Sequence, residues 1–164
     1  KANEELNILR EVEVLNYEVD IHCHTIGSGH AYSTVVENAQ VAAEKGLKMI
    51  AITDHGPAMG EGINKYFFAN MVVIPRKIKG VHILKGIETN ILDEKGTLDL
   101  PERYLSKLDI VLAGLHTGCY FGETVEENTK AIIGAIKNPY VDVIVHPGNP
   151  EFPLDIEMIK IHPF

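Results

Sequence analysis

Apolar residues in this chain come in blocks. Short runs rich in Val, Ile and Leu fall at 18–23, 48–53, 81–88, 109–114 and 141–146, separated by longer stretches with helical spacing. That rhythm predicts βα units and a parallel sheet. The near-continuous hydrophobicity of the runs suits strands buried on both faces. The helices announce their starts. Thr34-Val35-Val36-Glu37 and Thr124-Val125-Glu126-Glu127 are capping boxes, in which the hydroxyl and the carboxylate satisfy free backbone N–H groups. The first helix is expected to stop at Gly46 and the second near Asn138-Pro139. A shorter helix is expected over 101–107. Residues 56–80 read as a long loop with a helical turn, and the first fifteen or so as a possible helix in an N-terminal extension, 1–17, ahead of a domain spanning 18–164.

Composition narrows the class. The 164 residues suffice for one domain with a sizeable core, at 45% hydrophobic and 23% charged residues. No apolar run approaches the ~18 residues of a membrane span, and the polar start KANEELNILREVE is not a secretory signal. The net charge of −8 and the lack of a Lys/Arg cluster argue against nucleic acid as a partner. Two cysteines, Cys23 and Cys119, make no disulfide framework, so a cytoplasmic location is expected.

The histidines change the picture. There are eight, and three crowd into DIHCHTIGSGH. His22 and His24 end the first predicted strand and, two apart, share a face. His55 follows the second strand, Glu88 ends the third, His116 follows the fourth and His146 ends the fifth. His30 comes from the first βα loop. Active sites of parallel α/β barrels and open α/β sheets lie at this carboxyl end, so six histidines and a carboxylate should converge there. One histidine at a strand end is ordinarily a satisfied polar residue; repetition over five strand ends points to metal. Neutral imidazole and carboxylate suit Zn²⁺, with Mn²⁺ or Fe²⁺ as alternatives, and seven ligands imply two or three ions. Closely packed imidazoles without a metal would repel once protonated.

The remaining candidates are weaker. Asp20 and Asp54 adjoin the ligands and either orient an imidazole or serve a turn. Arg76 either reaches an anionic substrate or is a solvated loop arginine, and Asn149 either touches substrate or belongs to the Gly148-Asn149-Pro150 turn. Cys23 should face the helices as a small core residue. His82 starts a strand and His162 lies beside Pro163, so both read as structural or surface residues.

In order, VDIHCHT, GHAYS, AITDHG, GIETNI, AGLH and VHPGNP resemble the PHP (polymerase and histidinol phosphatase) superfamily, and within it the YcdX-like phosphatases, from Asp20 to about Pro150. The resemblance implies a distorted (β/α)₇ barrel, about five units of it in this chain, with a trinuclear site that is usually zinc. His22, His24 and Glu88 would hold one ion; Glu88, His116 and His146 a second; His30 and His55 a third. The family's late Asp-x-His motif is not matched before Phe164, so a C-terminally incomplete barrel is expected, with the second ion's ligands intact and the other two sites weakened. An open sheet edge leaves homo-oligomer formation open.

The activity expected is metal-dependent hydrolysis of a small phosphate monoester by a metal-bound water, with no side-chain nucleophile. Two alternatives stand beside it: an amidohydrolase-type hydrolase, which also carries HxH on its first strand, and a non-catalytic metal-binding module serving structure or a partner.

Overall fold

The computed structural model describes residues 17–60 and 63–161. The expected N-terminal helix and His162 lie outside them. Six strands are described: β1 (Val19–Cys23), β2 (Met49–Ile52), β3 (Lys77–Ile78), β4 (Val81–Asn90), β5 (Ile110–Gly114) and β6 (Val143–Ile144). Between and after them lie α1 (Val35–Glu44), α2 (Lys65–Asn70), α3 (Glu102–Leu105), α4 (Val125–Ile136) and α5 (Ile156–Lys160). The main path of the sheet runs β1-β2-β4-β5-β6, every neighbour parallel, and β3 adds to β4 antiparallel. The sheet curls into half a barrel with alternating helices, a partial (β/α) barrel of about five units.

β4 is the hinge of this curl. Its first half, His82 to Lys85, pairs with β2, and its second half, Gly86 to Asn90, pairs with β5. A ten-residue strand that serves two neighbours in succession carries its last residues far up the barrel. Ile50, Ile52, Ile83, Ile87 and Val111 pack between sheet and helices with Ala39 and Ala42 of α1 and Ile132 of α4. Both capping boxes form: Thr34 accepts from the Glu37 amide at 3.3 Å and Thr124 from the Glu127 amide at 3.2 Å, with each glutamate bonding back.

Three expectations need correcting. β1 is not buried on both faces, since Val19 and Ile21 are exposed at the sheet edge. The fifth predicted strand shrinks to Val143–Ile144, because an edge strand has one partner. Its flanks still bond to β5 or its approach, Asp142 N–H to Val111 O and Val145 N–H to Ala113 O. Residues 56–80 hold more than a loop. Asn64 caps α2 by accepting from the Tyr66 amide, and Lys79 and Gly80, both at positive φ, turn β3 back onto β4.

One close approach sets the position of α4. The Lys95-Gly96 turn lies against the helix at Gly134, where an added Cβ would sit 2.4 Å from the Lys95 carbonyl carbon. Neither backbone can give way without moving the helix, which buries seven residues. Gly134→Ala is therefore expected to cost about 1–3 kcal/mol by overpacking, and Thr124→Ala about 1 kcal/mol by loss of the cap. Denaturant midpoints check both; an unchanged midpoint for Gly134→Ala would contradict the packing described.

Candidate metal centre

The carboxyl ends of the strands meet around one side chain. Glu88 is 1% exposed, near the end of β4. Its Oε1 lies 3.0 Å from His116 Nε2 and 2.8 Å from His146 Nε2. Its Oε2 lies 3.2 Å from His22 Nε2, 3.1 Å from His24 Nε2 and 3.1 Å from His55 Nδ1. The imidazoles also approach one another, His22 Nε2 to His24 Nε2 at 3.1 Å and His116 Nε2 to His146 Nε2 at 3.2 Å. His30, on the rim, lies near His55 and His24 with its ring tilted against theirs and centroids 4.9 and 5.3 Å away.

Local structure explains each placement. The register between β1 and β2 slips by one residue between Asp20 and Cys23, a bulge that Thr53 clamps by accepting from the Cys23 amide. Thr25 then caps a 3₁₀ turn, Ile26–Ser28, that Gly29 closes at φ +77°, delivering His30. His55 bridges in register beside Glu88. His146 sits at φ +34°, a left-handed backbone uncommon for a side chain with a Cβ, at the point where β6 breaks into the Pro147 turn.

Electrostatics prepare the groups for a cation. Burial pushes the Glu88 carboxyl up, but the imidazoles of His116, His146 and His22 outweigh it and hold the group ionised, well below the usual range. Burial pushes His55 down to about 4, against the pull of Glu88 and with the help of the neighbouring histidines, so it is neutral at neutral pH. Contact with Glu88 raises His22 against the opposing effect of burial.

The donor set fits a metal. Glu88 Oε2 and the Nδ1 atoms of His55 and His116 are buried without a hydrogen-bond partner. Oε2 and His55 Nδ1 face each other at 3.1 Å without aligning as a hydrogen bond. Native interiors rarely leave such atoms unpaired. Three groups among the described residues have ligand atoms close enough to share an ion: His22, His24 and Glu88; His24, His30 and His55; His55, Glu88 and His116.

Other predicted residues fall elsewhere. Asp20 is exposed and accepts from the His22 backbone amide, so it serves the strand rather than an imidazole ring. Arg76 is taken by Asp109, at the opposite end of β5 from His116, and does not join the cluster. The Asn149 side chain accepts from the Glu151 amide, which is turn chemistry. Cys23 packs against the core, as expected of it, and His82 is exposed near the start of β4.

Asp54 alone of these joins the site, fully buried. It accepts from Thr25 N–H at 2.7 Å, Thr25 Oγ1 at 2.8 Å and Ser28 Oγ at 2.6 Å. Sequence reasoning missed Thr25 and Ser28. It also missed Asp99, which accepts from Thr89 Oγ1, Asn90 N–H and Ala58 N–H and ties the segment after His55 to the end of β4. Thr25 and Ser28 are small polar residues close to His24 in sequence, and Asp99 carries no such signal.

A parallel half-barrel with a carboxylate set among imidazoles at its strand ends defines a partial α/β-barrel domain whose His/Glu cluster could hold a metal. The PHP domain model matches residues 20–146, and the chain belongs to that family. It is 61% identical over 146 residues to a "probable phosphatase" of Caldanaerobacter subterraneus subsp. tengcongensis, covering 88% of this chain and 58% of that protein. It is 57% identical over 145 residues to a "probable phosphatase" of Acetivibrio thermocellus (88% and 60%), and 50% over 145 residues to one of Clostridium novyi (88% and 59%). The chain thus spans under two thirds of the length of these curated relatives.

Glu88→Gln removes the charge on which the cluster closes. We expect the variant to remain folded by circular dichroism and to lose at least one bound divalent ion per chain in elemental analysis. A variant that retains the parent's full metal content would contradict the central place given to Glu88.

Proposed function

We propose that this chain is the metal-holding part of a phosphatase that hydrolyses small phosphate monoesters. The observation that carries the reading is the convergence of His22, His24, His55, His116 and His146 on both oxygens of buried Glu88. The names of the relatives agree with it.

By this reading His22, His24 and Glu88 hold one ion, Glu88, His116 and His146 a second, and His30 with His55 a third. Imidazole and carboxylate suit Zn²⁺, and Mn²⁺ or Fe²⁺ accept the same donors. Bound ions there supply Lewis-acid charge for the phosphoryl oxygens and activate water. The protein's own part is orientation and charge. Glu88 stays ionised and offers one oxygen to each side of the cluster, and His55 stays neutral and ready to donate a lone pair. Neither cysteine is suited to nucleophilic attack: burial pushes the Cys23 thiol up to about 12 and raises Cys119 as well. Both remain protonated at neutral pH, in keeping with attack by water.

The test is hydrolysis of p-nitrophenyl phosphate and a panel of phosphate monoesters by the chain loaded with Zn²⁺ or Mn²⁺. Turnover should stop on chelation, return on adding metal, and fall by about 100-fold or more in Glu88→Gln. Full metal occupancy without turnover of any member, combined with unfolding on chelation, would replace the reading with a non-catalytic metal-binding module.

A further inference from the structure

Ser28 occupies a node where the hydrogen count leaves one solution. Its buried Oγ has three polar neighbours: Asp54 Oδ1 at 2.6 Å, His24 Nδ1 at 2.9 Å and the backbone N of His55 at 3.1 Å. A hydroxyl has one proton to give and two lone pairs to receive. Asp54, an acceptor that also takes the Thr25 amide and the Thr25 hydroxyl, receives that proton. The His55 amide can only donate and fills one lone pair. The other lone pair is left for His24 Nδ1, which must therefore carry a hydrogen.

We propose that Ser28, backed by Asp54, is a positioning residue that holds His24 as the Nδ1–H tautomer. The lone pair of His24 Nε2 is thereby presented to the space it shares with Glu88 Oε2 and His22 Nε2, each 3.1 Å away. A neutral imidazole beside a carboxylate otherwise gains by placing its proton on the facing nitrogen, as a donor. Such a proton would occupy the atom that a metal needs. The Ser28 relay opposes that outcome before any ion arrives. It also spans two strands: the same oxygen that orients His24 after β1 fixes the backbone of His55 after β2, so the two imidazoles are set relative to each other. A carboxylate or backbone carbonyl behind a ligating histidine is the general pattern; here a hydroxyl passes the carboxylate's pull to the ring. The inference rests on the proposed function only in treating His24 as a metal ligand.

The experiment is long-range ¹H–¹⁵N correlation of histidine-labelled chain, metal-free and zinc-loaded, at about pH 8–9 where imidazole is neutral. The His24 signals are assigned by their loss in His24→Gln. We expect Nδ1 protonated in both states of the parent chain. Ser28→Ala should move the proton to Nε2 in the metal-free protein and weaken zinc binding by about 10–100-fold. Asp54→Asn should keep the parent pattern. Its amide oxygen stays where the Thr25 amide and Ser28 hydroxyl donate, since a flip would set two donors face to face. Thermal unfolding of both variants shows whether each has folded. A neutral parent His24 protonated on Nε2, or a folded Ser28→Ala with unchanged tautomer, overturns the proposal. A shifted tautomer with unchanged zinc affinity upholds it and overturns instead the reading of His24 as a ligand.

Discussion

A carboxylate withdrawn from water must be compensated at close range or lose its charge. Glu88 is withdrawn almost completely and is surrounded by imidazoles from four other segments, the ends of β1, β2, β5 and β6. The two oxygens divide the work, one facing β5 and β6, the other β1 and β2. The apolar core between sheet and helices makes the barrel wall, but this one charge decides how the strand ends must meet.

Two further carboxylates tie the loops to that arrangement. Asp54 gathers the turn after β1, and Asp99 gathers the segment after β2 and the end of β4. Both accept mainly from backbone N–H and hydroxyl groups, so they fix chain paths without competing for the imidazoles. Ser28 is where the first of these knots touches the cluster itself. The cluster is thus backed by a buried acceptor at Asp54, the condition under which imidazole rings hold one orientation.

Curvature supplies the rest. β4 pairs with β2 along its first half and β5 along its second, so the sheet bends about the strand that carries Glu88. Its two borders differ from the middle. β1 leaves Val19 and Ile21 exposed, and β6 is reduced to two residues with ladder-like bonds on either side. The chain covers 58–60% of the relatives cited, and in the described residues those two borders are the ends of the strand order.

Much of this was legible in the linear chain. The five Val/Ile/Leu runs mark the five parallel strands, for β2, β4 and β5 because strands buried on both faces need apolar residues on each. The capping boxes mark the starts of α1 and α4 because their hydrogen bonds are local. The histidines, repeated at successive strand ends, mark the cluster because a parallel sheet sends all its carboxyl ends one way. What the chain could not disclose depends on residues distant in sequence. Asp20, Arg76 and Asn149 stood beside Asp54 as candidates, yet the first and third serve local backbone and Arg76 is captured by Asp109, 33 positions away. The exposure of β1 and the shortening of β6 follow from their places at the sheet borders, which no local pattern encodes. Ser28 became important only when folding brought it to Asp54, His24 and the His55 amide together. Residue types and their period are properties of sequence; which proton an imidazole carries is decided by the neighbours that tertiary structure assembles.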